Sequence, residues 1–85
     1  MSTTSELVLI DRFCRVARLY GSGHHLTVNE VSVELFDDPR KLGKLNRSRN
    51  PNDLGTAEYR SGIRMMSTKW PSGETWPDDV ERPGV

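Results

Sequence analysis

The chain has 85 residues, of which 34% are hydrophobic and 28% are charged, and its mean hydropathy is −0.64. A chain this short forms one small domain with a thin core, and it has no apolar run near the ~20 residues that a transmembrane helix needs. Twelve basic and twelve acidic residues cancel, so the net charge alone gives no reason to expect a polyanionic partner.

A first helix is predicted over about residues 5–20. Apolar side chains recur there at steps of three and four and form a wide stripe, which comprises Leu7, Val8, Ile10, Phe13, Cys14, Val16, Ala17 and Tyr20. Gly21 and Gly23 follow the stripe, and glycine accepts the left-handed conformation of a helix C-cap without penalty. We therefore expect the helix to end at these glycines. Cys14 is the one cysteine of the sequence, and we expect it to be a small core residue.

A second helix is predicted over residues 27–36 by a capping box. In this motif the Thr27 hydroxyl and the Glu30 carboxylate satisfy backbone N–H groups reciprocally at a helix start. Three apolar side chains are spaced to face inward: Val28, Val31 and Leu35. Ser32 is a small residue at which two helices can approach each other closely. The β-branched residues of the same segment leave a short strand as the competing interpretation.

Asp38 and Pro39 predict the start of a third helix, over residues 38–47. Aspartate accepts N–H bonds as a cap, while proline supplies a preset φ at the first helical position, where no donor is needed. The chain is expected to turn at residues 36–37. The predicted outward side chains are Arg40, Lys41, Lys44 and Arg47, and the predicted inward ones are Leu42 and Leu45.

Residues 48–55 are rich in turn formers and predict a loop, after which Thr56 is expected to cap a last helix over residues 56–69. Residues 71–85 then carry three prolines and no helical or strand period, which predicts an extended tail. We expect this tail to pack on the helical body or on a second subunit. The residues expected to make that contact are Tyr59, Met66, Trp70 and Trp76.

The charges are sorted along the chain although they cancel in total. Residues 1–38 hold three Arg and six Asp or Glu, residues 39–69 hold eight Lys or Arg and two acids, and residues 70–85 hold one Arg and four acids. The three net charges are therefore 3 − 6 = −3, 8 − 2 = +6 and 1 − 4 = −3. Because phosphate attraction depends on the local patch, the basic middle segment indicates either a nucleic-acid surface or a solvated cationic face.

Residues 26–48 resemble the helix-turn-helix of the λ-repressor and Cro-type family. The positions that carry the resemblance are Leu26, Thr27, Val31, Ser32, Leu35, Leu42 and Leu45. The family usually has Gly at the turn where this chain has Phe36, and Asp37 can adopt the left-handed conformation instead. The whole chain also resembles small regulators of alphaproteobacterial prophages and integrative elements, which end in a similar Trp-Pro, Trp-Pro, Arg-Pro pattern.

The resemblance implies an all-α, four-helix, λ-repressor-like DNA-binding domain over residues 1–70, followed by the tail over residues 71–85. Such a regulator binds a double-stranded DNA operator, and we expect a homodimer on an inverted repeat, because a single module seldom reaches useful specificity alone. Arg40 is the best candidate for reading a base edge. The residues implied to contact DNA are Thr27, Val28, Asn29, Arg40, Lys41, Lys44, Arg47, Ser48, Arg49 and Asn50.

Enzymatic and metal-dependent functions find little support in the sequence. His24 and His25 are adjacent and do not easily face one tetrahedral metal site, and there is no nucleophile with a plausible base and no phosphate-binding glycine loop. We predict no enzymatic activity, no cofactor, no small-molecule substrate and no membrane partner. The N-terminal residues lack the features of a signal peptide, so a cytoplasmic protein is expected. A protein-binding inhibitor, such as an antiactivator on a helix-turn-helix scaffold, stays open as the alternative function.

Overall fold

Helices make up the regular structure of the chain, as seen in a computed structural model that describes residues 2–83, with the side chains of residues 8–50 and 52–83. The elements are α1 (Ser2–His24), α2 (Val28–Phe36), α3 (Lys41–Ser48), a single 3₁₀ turn (Pro51–Asp53) and α4 (Thr56–Thr68). The Cα radius of gyration is 12.0 Å, close to the ~12 Å expected for a compact chain of this length. The predicted all-α class with four helices is confirmed. The strand considered for residues 31–36 is wrong, since that segment is helical and residues 2–83 contain no strand.

Helix α1 continues past the two glycines that were expected to end it. Gly21 lies within the helix where α2 packs against it: a Cβ at this position would come within 2.9 Å of Val31 Cγ2. A side chain at Gly23 would likewise collide with the Pro71 ring. His25, with a φ of 59°, adopts the left-handed conformation that had been expected of glycine. The glycines thus allow close packing between elements, and the prediction that they form the helix end is wrong.

The core lies between α1 and α4 and extends to the inner faces of α2 and α3. Its buried apolar residues are Ile10, Phe13, Cys14, Val16, Ala17, Tyr20, Val31, Leu42, Leu45, Leu54, Ile63, Met66 and Val80. Phe13 is at the centre, with ring centroids 5.8 Å from Phe36 and 6.0 Å from Tyr59. The stripe predicted for α1 is therefore a core face from Ile10 to Tyr20, and the prediction that Cys14 is a core residue is confirmed. Val8 departs from the stripe, since it is 38% exposed, and the side chain of Leu7 lies outside the described residues.

Helix α4 begins at Thr56, as the predicted range of 56–69 has it, but its capping residue is one position earlier than expected. Gly55 is the N-cap, and its N–H donates to Glu58 Oε1 at 3.0 Å, while Thr56 is the first helical residue. The expected cap by Thr56 is therefore wrong. The inner face of α4 packs on the core, with Ile63 and Met66 buried.

Residues 70–83 form no further helix and fold back on the helical body. The indole rings of Trp70 and Trp76 meet edge to face with centroids 4.8 Å apart. Their N–H groups donate to the backbone oxygens of Glu74 and Val80, at 2.8 and 2.7 Å. In the described part of the chain, none of the helices combines the length and the apolar character needed to cross a membrane.

Candidate nucleic-acid interface

The start of α2 contains the predicted capping box. The Thr27 N–H donates to Glu30 Oε1 at 2.8 Å, and the Glu30 N–H donates to Thr27 Oγ1 at 3.2 Å. A carboxylate therefore stands at this helix end, beside the exposed Asn29. The inward orientation predicted for Val28 is wrong, because 49% of this residue is exposed. Val28 lies at the first position of the helix, where one side is open to solvent.

The turn after α2 is made by Asp37. Its φ and ψ angles of 57° and 31° are left-handed, and its N–H donates to Val33 O at 2.8 Å. Aspartate tolerates this conformation better than most residues with a side chain. The left-handed conformation considered for Asp37 is thus confirmed, and the chain makes this turn without glycine.

Helix α3 begins at Lys41, three residues after the predicted start at Asp38. Asp38 caps no helix: its Oδ1 accepts the N–H of Arg40 at 2.9 Å, which closes a local turn through Pro39. Arg40 occupies the N-cap position and makes no side-chain capping bond. The expected helix start at residues 38–39 is therefore wrong, because the aspartate bonds two residues ahead within the turn.

The missing cap is supplied from the neighbouring helix by Ser32. This side chain is fully buried, and its Oγ accepts the N–H of Leu42, in the first turn of α3, at 2.9 Å. The same hydroxyl donates to the backbone oxygen of Asp38. One serine thus fixes the turn and the start of α3 together. In the sequence Ser32 stands out only by its small size. The one signal of its capping role is that it is a polar residue at an inward-facing position of α2.

Helix α3 has two opposite faces. Leu42 and Leu45 are buried, as predicted. Arg40, Lys44 and Arg47 are exposed on the other side. None of these three cations forms an ion pair with the side chains that the structure describes. The result is a short helix whose outward side is cationic and free to contact a ligand.

Lys41 differs from these three cations. Its Nζ lies 2.5 Å from Glu58 Oε2 and 4.9 Å from the centroid of the Phe36 ring, and the side chain is partly buried. The hydrogen bond from Lys41, together with that from the Gly55 N–H, lowers the pKa of Glu58. Lys41 therefore joins α3 to α4, and the structure places it among the packing contacts although it was predicted to point outward.

The last residue of α3 and the two residues after it form hydrogen bonds within the chain. Arg49 has a left-handed φ of 52°, and its Nη1 donates to Asp11 Oδ1 at 3.0 Å. The hydrogen bonds from Arg15 and Arg49 lower the pKa of Asp11. Ser48 donates to Lys44 O at 2.9 Å, and Asn50 Oδ1 accepts the N–H of Asn52 at 3.0 Å. These three predicted contact residues are exposed, although each already has a partner.

The surface beside α3 is mixed in charge. A shallow hollow is lined by Asp38, Arg40, Lys41, Lys44, Asn52, Asp53 and Glu58. Three carboxylates therefore lie near three of the cations. Of the exposed cations on the outer side of α3, Arg47 is the one that does not line this hollow.

The residues predicted for dimer or tail contacts lie inside a single subunit. Met66 is fully buried, and Tyr59, Trp70 and Trp76 pack partly buried against the core. Packing of the tail on its own body is therefore present, and contact of the tail with a second subunit stays a prediction. His24 Nε2 lies 2.6 Å from Lys69 O, and among the described side chains, those of residues 8–50 and 52–83, no three His, Cys, Asp or Glu are grouped to hold a metal. Comparison of the chain with protein-family models, curated proteins and solved structures finds no match.

Proposed function

We propose that the chain is a sequence-specific regulator that binds double-stranded DNA, with α2 and α3 as its helix-turn-helix. The observation that carries this proposal is the two-sided character of α3: two leucines anchor it to the core, while Arg40, Lys44 and Arg47 point to solvent without partners among the described side chains. A helix held on one side and cationic on the other is the element that such proteins insert into the major groove. The four-residue connection between α2 and α3 is also within the range of this motif.

The roles of the cations follow from their positions on α3. Arg40 precedes the first helical turn, where side chains reach base edges, and a guanidinium can bond two acceptors of guanine. Lys44 and Arg47 lie further along the helix and suit phosphate contacts that position the protein. Lys41 is omitted from this assignment because Glu58 holds it. Ser48, Arg49 and Asn50 retain backbone and side-chain groups that suit phosphate contacts at the end of the helix.

Dimerisation belongs to the proposal because of the size of the chain. One such module buries roughly 600–1,000 Å² on DNA, and useful specificity comes from two half-sites. Since Met66 is buried in its own subunit, the dimer contact must use other surface. The regulation of a prophage or integrative element is supported by the sequence resemblance of the tail alone.

The test is selection of bound fragments from random duplex DNA, followed by variants of α3. We expect a two-fold symmetric motif, and we expect Arg40→Ala to lose about 1–3 kcal/mol of discrimination at one base pair. Lys44→Ala should weaken binding to all sequences and reduce the slope of log affinity against log salt by about 1. The matched control is Arg64→Ala, which removes one exposed cation from α4. Failure to enrich any motif with the folded protein would overturn the proposal.

A protein-binding inhibitor is the second candidate, and the mixed charge beside α3 favours it. Asp38, Asp53 and Glu58 in the same hollow as the cations would repel a phosphate backbone but suit a protein surface of mixed charge. The two functions differ in their response to salt. Binding to DNA through six or more phosphates should weaken by about 10³-fold or more over a modest rise in salt. A partner captured with little dependence on salt, together with no DNA motif, would favour the inhibitor.

A further inference from the structure

A groove of about 390 Å³ opens on the opposite side of α3 from the hollow with mixed charge. It is bounded by α1, the start of α2 and α3, and its apolar lining includes Ala17, Leu26, Val28, Val31 and Leu42. Small-molecule sites are commonly about 300–1,000 Å³, mostly apolar, with a few polar groups that orient the ligand. The groove has the size and the lining of such a site.

Arginines surround this apolar surface. Arg15 is held by Asp79 and Asp11, at 2.7 and 3.0 Å, and Arg49 is held by Asp11 at 3.0 Å. Arg18 lines the same groove, is exposed, and forms no ion pair with the side chains that the structure describes. Three guanidinium groups therefore meet two carboxylates, which leaves one positive charge uncompensated at the edge of an apolar groove.

We propose that this groove binds a small amphipathic carboxylate, with its apolar body on Leu26 and Val28, the accessible apolar residues of the lining, and its carboxylate at Arg18. A guanidinium bonds a carboxylate through two parallel N–H groups, which orients the ligand as well as attracting it. Because three arginines face two carboxylates, the groove has a net positive charge and would repel a cationic ligand. A polyanion is disfavoured because only one of the three arginines is unpaired and the floor of the groove would bury its charges without partners.

Occupancy of the groove bears on α3 directly. Leu42 and Asn46 of α3 form part of the wall, and Leu42 also receives the capping bond from Ser32. A bound carboxylate is therefore expected to change the position or the mobility of α3 and so the affinity for DNA. This consequence rests on the proposed function, whereas binding of the carboxylate does not.

The experiment titrates the full chain with octanoate, using octanol and acetate as probes that lack the charge or the apolar body. We expect saturable binding of octanoate by calorimetry, with amide shifts confined to residues of the groove lining, around Arg18, Leu26 and Val28. Because a bond to a charged group contributes more than a neutral one, octanol should bind about tenfold or more weakly. Acetate should show no saturable binding. Equal binding of octanoate and octanol, or shifts spread over the surface, would overturn the proposal.

Two pairs of variants locate the site. Val28→Glu places a carboxylate at the edge of the groove and should abolish octanoate binding, while Val33→Glu makes the same change outside the groove on the same helix. Both valines are exposed, by 49% and 43%, so both variants should fold, which circular dichroism checks. Arg18→Gln should remove the preference for octanoate over octanol, and Arg64→Gln should keep it. If the two variants of either pair changed octanoate binding equally, the assignment of the site to this groove would be refuted. Because these titrations contain no DNA, that result would leave the proposed function untouched.

Discussion

The molecule has two halves, a body formed by α1 and α4 and a second half formed by α2 and α3, and different kinds of contact hold each of them in place. Where α1 meets α4, large apolar side chains interlock: Phe13 is fully buried and a Cβ on Gly62 would come within 2.5 Å of its ring. Helix α3, in contrast, has two buried leucines in eight residues and depends on the hydroxyl of Ser32 at its start. Apolar packing therefore secures the body, while a buried polar contact positions the helix that we propose contacts DNA.

Polar pairs also join the two halves at their edges. The Tyr20 hydroxyl on α1 donates to Glu34 Oε1 on α2 at 2.8 Å. Burial and this hydrogen bond raise the pKa of Tyr20 to about 12. Lys41 and Glu58 form the corresponding link between α3 and α4. Such contacts determine how α2 and α3 are oriented against the body more than they add to the free energy of unfolding. We therefore expect α2 and α3 to open locally before the body unfolds.

The largest expected effect comes from the body. Phe13→Ala removes a fully buried ring and should cost about 3–5 kcal/mol of unfolding free energy. At roughly 0.05–0.15 kcal/mol per residue a chain of this length has only about 4–13 kcal/mol in total, so the variant should lose a large share of its stability. Urea denaturation followed by circular dichroism measures the loss. Val8→Ala is the control on the same helix, because Val8 is 38% exposed, and a loss as large as that of Phe13→Ala would contradict the view that buried apolar packing secures the body.

A smaller and more local effect is expected at Ser32. Ser32→Ala leaves the buried N–H of Leu42 without its acceptor, which should cost about 1–3 kcal/mol. We expect hydrogen exchange to accelerate at the amides of α3 and to change little at Ile63 in α4. Ser61→Ala, at an exposed position of α4, should leave both helices unchanged. If exchange in α4 accelerates as much as in α3, the two halves unfold together and the distinction between them fails.

The features that sequence analysis predicted correctly are those encoded by near neighbours. The capping box at Thr27 and the inward positions of Leu42 and Leu45 depend on spacings of three or four residues. The left-handed turn at Asp37 likewise depends on the conformational tolerance of one residue. Such signals are present in the local sequence before any tertiary contact forms.

The features that were missed depend on partners far along the chain. Gly21 lets Val31 pack closely against α1, and the capping of α3 comes from Ser32, ten residues before Leu42. Lys41 is withdrawn from the predicted contact surface by Glu58, seventeen residues away. A single sequence shows that these residues are glycine, serine or lysine, but their roles are set by which elements pack together. The order of the helices was therefore predicted from the sequence, whereas the distant partners that position their glycine, serine and lysine side chains were not.

The smallest expected effect concerns the ion pair that joins the tail to the body. The hydrogen bond from Arg15 lowers the pKa of Asp79. A carboxyl group with a lowered folded-state pKa stabilises the fold above its ordinary pKa of about 3.9, and that contribution is lost as the pH falls through the lowered value. Asp79→Asn should therefore lower the urea midpoint slightly at neutral pH, and the difference from the parent protein should disappear in acid and at high salt.

The matched control for this ion pair is Asp78→Asn, which changes the neighbouring exposed carboxylate and should leave the midpoint at its parent value. Because Asp79 is exposed at the surface and water competes for Arg15, its effect should stay below that of Ser32→Ala. The tail is then held mainly by Val80 and the two indoles, as the body is held by apolar packing. If Asp79→Asn lowered the urea midpoint more than Ser32→Ala, the tail would be held mainly by its ion pair, that is, by polar contacts as α3 is.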